Sequence, residues 1–412
     1  MTGWLKLTDD QRRVTLTQAQ QRSGILAKAI EKDWWVTLVL KALFQSAYAG
    51  YLVFKGGTSL SKGFKLINRF SEDIDLALAP EAFGMQYEEN PTPSYISRLR
   101  RKGFAFTTTL FIEELNAQLI SLGVPSSFYT IEFDPAPPNQ TPPDPQSVYV
   151  KYKPLYDPNK YIADQVKIEI SVRSLKIPFT TRSIHSILTE FFPNKVYEEH
   201  PFEVTIVEPR KTFLEKAFLL HEEFGKPDKT TIRTERMSRH FYDLAVIMNN
   251  EIAKEALHDH DLYESLIIHR ERYIRATWAN YATLTHSTIS FLPPEELLEE
   301  YKNDYEEMRE HMIYGEGVLT FEEVINNLKE LQGRFRLKKE VKLLEEIITD
   351  ALNNLQDYMK QHPTATSFET QVVYTSDPYK PAGPANKAII FGVRFTRNRD
   401  KMIFESISVH EN

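Results

Sequence analysis

Two aspartates one residue apart, Asp73 and Asp75, stand in a short apolar run that follows a Gly-Gly pair, and this pattern constrains the chain more than any other. The segment reads FKGGTSLSKGFKLINRFSEDIDLAL, from Phe54 to Leu78. Residues 51–54 (YLVF) end at Gly56 and Gly57, which predicts a strand entering a tight turn. Residues 59–66 then read as a helix start. Residues 74–78 read as a second strand, closed by Pro80. Backbone N–H groups at such a turn can wrap a triphosphate, and glycine lets the chain approach closely. Strand alternation places the Asp73 and Asp75 carboxylates on one face. Adjacent carboxylates repel unless a divalent cation lies between them, and Mg²⁺ prefers such oxygens together with phosphate oxygens. Each feature alone is weak: a Gly-Gly pair is usually only a turn, and a lone D-x-D is usually a solvated face. Together they offer a phosphate cradle and a metal clamp, and in-line nucleotidyl transfer needs both.

A third carboxylate would complete such a clamp. In DQVKIEISV, Lys167, Glu169 and Ser171 alternate with Val166, Ile168, Ile170 and Val172, so the polar residues share one strand face. Glu169 is thus either a third metal ligand or, with Lys167, part of a water-facing surface. Residues 147–153 are expected to form a strand beside it, and the Pro-rich residues 134–145 an extended loop. Helices are expected over 16–47, 104–122, 238–249, 294–313, 320–333 and 336–360. The last should carry an apolar stripe of Leu344, Ile348, Leu352 and Leu355. Thr212 and Glu215 have capping-box spacing at the start of a helix, with Lys216 in its first turn. VVYT, AIIFGVRF and KMIFESISV, near the end, read as strands. The expected division is 1–205, a mixed sheet with helices; 206–361, helical; and 362–412, a strand-rich extension. The fold class is α+β.

The chain has no cysteine, which excludes disulfides, thiolate metal sites and cysteine nucleophiles. Its first residues hold no signal-type apolar stretch, and the longest apolar cluster, Trp34 to Phe44, is broken by Thr37 and Lys41. A cytoplasmic protein without a membrane span is expected. The net charge of −7 argues against a chain coated by nucleic acid, though not against a local basic groove. Candidate RNA contacts are the run Arg98, Arg100, Arg101 and Lys102 beside Tyr95 and Phe104, with Lys151, Lys153, Arg173, Arg182, Arg233, Arg236 and Arg239 elsewhere. A charge run of this kind is more often a solvated face.

The stretch IEKDWWVTLVLKALF followed by LVFKGGTSLSKGFKLINRFSEDIDLAL resembles the AbiEii/AbiGii toxin family of nucleotidyltransferases. KTFLEKAFLLH (Lys211 to His221) and SRHFYDLAVI (Ser238 to Ile247) resemble it too, and the likeness runs from about Ile30 to Met248. The resemblance implies a polymerase-beta-like nucleotidyltransferase domain, with Gly56, Gly57, Thr58 and Ser59 as the nucleotide-binding motif and Asp73 and Asp75 as metal ligands. Arg69 and Ser71 match the residues that precede the first aspartate. Lys216 matches the essential lysine of the family and Asp243 its late aspartate. It further implies Mg²⁺ or Mn²⁺, an NTP substrate, transfer to an RNA such as the tRNA 3′ end, a separate antitoxin partner and a role in phage defence.

The residues themselves leave several roles open. Lys216 could be a solvated lysine, and Asp243 lies four residues after Arg239, the spacing of an ordinary helical salt bridge. Ser71 lines the site or merely starts a strand, and Ser59 binds phosphate or merely caps a helix. The proton of the attacking hydroxyl could pass to Asp75, Glu169 or Asp243. Transfer to a small molecule or protein, or a nucleotide-binding module without turnover, are the competing readings.

Overall fold

The chain is described here by a computed structural model covering residues 3–158, 161–193, 195, 197, 199–375, 388–398 and 401–411. These residues group into two units, Met1–Gln332 and Gly333–Asn412. The sheet of the first half and most of the helices that follow it share the first unit.

In that unit, seven strands form one mixed sheet in the order β3-β4-β5-β2-β1-β7-β6. They are β1 (Leu52–Lys55), β2 (Ile74–Leu78), β3 (Tyr129–Phe133), β4 (Gln146–Tyr152), β5 (Gln165–Ser171), β6 (Phe179–Ile184) and β7 (Phe202–Val207). At its centre β2 runs antiparallel to β1 and parallel to β5, and β1 runs parallel to β7. The register sets Asp75 opposite Lys55 on one side and opposite Glu169 on the other. Three charged side chains thus lie side by side across the middle of the sheet. Period-2 alternation gives them a common face, while Val53, Phe54, Ile74, Leu76, Ile168 and Ile170 are buried.

The helix expected over 16–47 is two helices. The first, Asp9–Ser23, is capped by Thr8 in a box with Gln11, and Gly24 ends it at φ 73°. That left-handed position suits glycine and terminates the helix. The second, Ala27–Phe44, is buried almost all round, with Trp34, Trp35, Leu38 and Val39 at 0–1 % exposure. It also buries charges, and each has a partner. Lys32 donates to Glu72 at 2.6 Å, Asp33 accepts from Lys62 and from Ile187 N, and Glu31 accepts from Leu155 N at 2.9 Å.

Glu31 carries a pH prediction. Burial pushes its carboxyl up to about 7, against the partial relief of the Leu155 bond and of Arg12. The native state therefore holds a proton that the unfolded chain has lost above the usual carboxylate range. Stability from this group is full below pH 4.5 and falls as pH rises towards 7. Glu31→Gln, which keeps the acceptor oxygen, is expected to raise stability at pH 8 by on the order of 2 kcal/mol and to change little at pH 5. Thermal melts at the two pH values check this.

Other boundaries also move. The helix expected at 104–122 begins at Pro93, where Thr92 accepts from Tyr95 N and proline opens the first turn, and it runs on through a π turn to Ser121. Thr212 is not a cap: its helix, Pro209–Phe224, starts three residues earlier behind Glu208, so Lys216 lies beyond the first turn. The helices expected at 320–333 and 336–360 are one, Phe321–Gln361, because Gly333 alone does not break a helix.

In the second unit, three antiparallel strands, β8 (Ser367–Thr375), β9 (Ala388–Asn398) and β10 (Lys401–Glu411), are ordered β10-β9-β8. Val372, Phe391, Val393 and Phe395 pack with Ile347, Ala351 and Leu355 of the helix. Of the expected stripe only Leu355 faces the strands: Leu344 and Leu352 are exposed, and the buried row is Ile347, Ala351 and Leu355.

Candidate active site

A cleft of ≈ 480 Å³ opens where the ends of β1 and β2 meet the helices Pro209–Phe224 and Ser238–Ile247. Gly56, Gly57, Arg69, Ser71, Asp73, Asp75, Glu169 and Lys216 all line it. The two halves of the sequence pattern, the glycine turn and the aspartate pair, converge there.

The turn needs its glycines. Gly56 has φ +79°, and a Cβ there would lie 2.0 Å from Asp75 Oδ2. A Cβ on Gly57 would lie 2.6 Å from Arg69 Nη2 and 3.0 Å from Ser71 Oγ. The backbone is thus pressed against the acidic and basic groups of the site, and it opens the helical run Gly56–Thr58, continued as a π turn over Ser59–Gly63. The first N–H groups of a helix lack partners within it and are available to an anion. Gly56→Ala is expected to lower the melting temperature, since a left-handed alanine alone costs roughly 1–2 kcal/mol, and to remove most activity by displacing Asp75. Circular dichroism melts and a transfer assay read the two effects separately.

Thr58 and Ser59 are fully buried and do not line the cleft. Thr58 donates to Asp73 O at 2.5 Å and bonds Ser71 Oγ at 2.9 Å, while Ser59 donates to Gly56 O at 2.7 Å. The Thr58 hydroxyl ties the turn to the residue before β2, and the Ser59 hydroxyl closes the turn on itself.

The acids crowd one another. Burial, then Glu169 and Asp73, push the Asp75 carboxyl up to about 7. Burial and Glu72 raise Asp73 as well. Glu169 goes the other way: burial would raise it, but the bond and charge of Lys167, 2.7 Å away, bring it below the ordinary range. Among the described residues, no three His, Asp or Glu side chains are arranged to hold a metal ion as they stand. Asp73 and Asp75 nevertheless form a half-buried acidic pair whose nearest cationic partner, Arg239, is 3.6 Å from Asp73. A pair pushed towards its neutral form is chemistry that a divalent cation relieves.

Opposite the acids lies a basic group locked in place. Asp243, fully buried, accepts from Arg69 Nε and Nη2 at 2.7 and 2.8 Å and pairs with Lys216 at 2.9 Å. Burial works against the Asp243 charge, but the two cations hold its carboxyl below the usual range. Burial lowers Lys216 despite Asp243, and Lys216 lies 3.3 Å from Nδ1 of His240. Burial, then Lys216, drive His240 well below the usual histidine value, so it is neutral. The helical salt bridge from Arg239 to Asp243 is absent, because Arg239 turns to Asp73 instead.

Sequence reasoning missed Lys55, Lys167 and His240 and placed Arg236 and Arg239 only in a general basic cluster, yet all five line the cleft. Strand register would have found Lys55, which lies opposite Asp75, and alternation along β5 puts Lys167 beside Glu169. Helical spacing would have found His240 and Arg239, three and four residues before Asp243 on the same helix. The 98–102 run does not line the cleft; Arg98 lies over the Tyr95 ring, and Arg100 approaches Thr141 O at 3.5 Å. Lys151 pairs with Glu132, and Arg182 lies over Phe64.

No curated protein and no solved structure matches the chain. A family profile does, described as nucleotidyl transferase AbiEii toxin, type IV toxin–antitoxin system, and it matches residues 38–327. That span runs past the last motif legible in the sequence and takes in the β1–β2 turn, the aspartate pair, Lys216 and Asp243. Covering well over half of the chain, the match shows that this protein belongs to the AbiEii family of nucleotidyl transferase toxins.

Proposed function

We propose that the protein transfers a nucleotide from an NTP to an acceptor hydroxyl, an RNA 3′ end of tRNA type, with release of pyrophosphate. The observation that carries this reading is the approach of the Gly56 backbone to the Asp75 carboxylate, within a cleft that also holds Lys216 and Arg69. Asp73 and Asp75 would hold Mg²⁺ or Mn²⁺, which when bound supplies Lewis-acid stabilisation of the phosphoryl oxygens. The N–H groups of the Gly56–Gly57 turn and the Lys216 ammonium bind the triphosphate. Asp243 aims Lys216 and Arg69 and, being saturated by both, is not free to act as base. Glu169, ionised and beside Asp75, takes the proton of the acceptor hydroxyl. Arg236 and Arg239 add positive charge at the cleft for the acceptor's phosphates.

Membership of a type IV toxin–antitoxin family implies an antitoxin partner. We further propose that the pair acts in the cytoplasm, in phage defence. No helix among the described residues is long and apolar enough to cross a membrane. The test uses each α-labelled NTP with tRNA, protein and small-molecule acceptors, with and without Mg²⁺ or Mn²⁺. Metal-dependent label on tRNA is expected. Label only on protein or a small molecule would replace the RNA acceptor, and nucleotide binding without transfer to any acceptor would favour a regulatory module.

A further inference from the structure

A second cavity, of ≈ 230 Å³, adjoins the catalytic cleft, and the two share Ser174 and Leu175 as a common wall. Its lining differs in kind. Tyr87, Ile177 and Tyr273 supply aromatic and aliphatic surface, and Leu78 and Ala79 supply its base at the end of β2. Three near-parallel rings cluster there in a triangle, with the Tyr87 and His269 centroids 6.4 Å apart and the Tyr87 hydroxyl 3.4 Å from His269 Nδ1. Tyr87 lies on Tyr273 with centroids 5.0 Å apart and planes 7° apart, and Tyr273 lies on His269 at 4.8 Å and 13°. The inner rings are buried, whereas Tyr87, the outer ring, is 47 % exposed, and Ile177 is 58 % exposed.

The wall between the two cavities is fixed from behind. The buried Lys211 ammonium donates to Leu175 O. Arg173 donates to Asp144 at 2.9 Å and to the carbonyls of Tyr273 and Ile274 at 3.2 and 2.9 Å. His269 Nε2 donates to Arg173 O at 2.7 Å. Burial drops His269 to about 4, so it stays a neutral ring in the stack at working pH. An exposed aromatic ring held in place by two buried rings, next to the cleft proposed to bind phosphates, suits a planar base pulled out of its own stack.

We infer that this cavity seats a nucleobase of the acceptor strand, one nucleotide or more back from the attacked hydroxyl, with Tyr87 as its stacking platform. The inference rests on the reading of the acceptor as RNA. Position favours the acceptor over the NTP. Leu78 is three residues beyond Asp75 on β2, roughly 10 Å at strand rise, and the cavity lies behind the Ser174–Leu175 wall. The base of the NTP is tied by a single sugar to the phosphate at the aspartates, whereas a neighbouring nucleotide of a strand reaches further. Tyr87 and Ile177 are positioning residues for the acceptor and stand outside the machinery that holds the triphosphate.

The test uses an RNA hairpin with a four-nucleotide single-stranded 3′ end and four versions made abasic at one of those positions. Binding by anisotropy and transfer of labelled NTP are measured for wild type, Tyr87→Ala and Tyr87→Phe. Tyr87→Ala is expected to weaken hairpin binding by roughly 5- to 100-fold, with KM for NTP unchanged. One abasic position should weaken wild-type binding as much and add nothing further in Tyr87→Ala. Tyr87→Phe, which keeps the ring, should bind as wild type. The assignment is overturned if the losses add at every position, if the wild type does not bind the hairpin, or if Tyr87→Ala raises KM for NTP and leaves RNA binding intact. Wild type that shows the abasic pattern but passes no label to RNA would keep the base pocket and discard the RNA acceptor. Wild type that labels the RNA while Tyr87→Ala binds it normally would do the reverse.

Discussion

Asp75→Asn is expected to cut nucleotide transfer by roughly 10³-fold or more while leaving the protein folded and at least as resistant to heat. The asparagine amide matches the carboxylate in shape, so it fits beside the left-handed Gly56 without new contacts. It cannot supply the negative charge that a divalent cation between positions 73 and 75 requires. Stability should not suffer, because the wild-type carboxylate is buried next to Glu169 and Asp73, and the fold opposes its charge. With the carboxyl raised from 3.8 to about 7, that penalty is complete at pH 8 and absent at pH 3. Single-turnover transfer with labelled NTP, paired with melts at pH 8, reads both effects. Retained activity would remove Asp75 from the metal site.

Asp243→Ala should be the most damaging change to the fold of the site. Asp243 is fully buried and neutralises two cations, Arg69 and Lys216, which are themselves 4 % and 7 % exposed. Deleting one partner of a buried charge cluster leaves the others uncompensated, which costs roughly 3–5 kcal/mol. Transfer should fall below detection, since Arg69 also packs against the Gly57 turn. Asp243→Asn keeps the shape and one accepting oxygen but loses the charge and turns an NH2 towards a cation, so it should fall between alanine and wild type in urea unfolding. If Asp243→Ala unfolded at the wild-type urea midpoint, the cations would have to be relieved by solvent rather than by this carboxylate.

Much of the architecture was legible because it is written in short-range patterns. Period-2 alternation located β2 and β5, and the Gly-Gly pair marked the turn between β1 and its helix. The errors lie where a local rule was outvoted. Thr212 looked like a cap, but Pro209 and Glu208 had already started that helix. Gly24 was passed over inside the single helix expected over 16–47, although its left-handed backbone ends the first helix. The C-terminal stripe was right at Leu355 but one residue off before it, and one residue turns a helix by about 100°. In the site, the acids were found because their spacing along one strand is itself the signal. Their setting was not, because the partners come from far away. Arg69 meets Asp243 from 174 residues off, and Lys32 meets Glu72 from 40. Nothing in one sequence states such pairings until the sheet order and the helix packing are known.

That long reach has a consequence for biosynthesis. The strand on one side of β1 is β7, whose residues are made about 150 positions later, and the anchor for Lys216 and Arg69 comes later still, at Asp243. A nascent chain therefore displays the aspartate pair long before it owns the carboxylate that holds the cations across the cleft. At roughly 5–20 residues per second, ribosomes need many seconds to bridge that gap. Any product truncated ahead of the helix Ser238–Ile247 lacks the carboxylate that anchors Lys216 and Arg69, so the cleft is complete only in chains that have passed that helix.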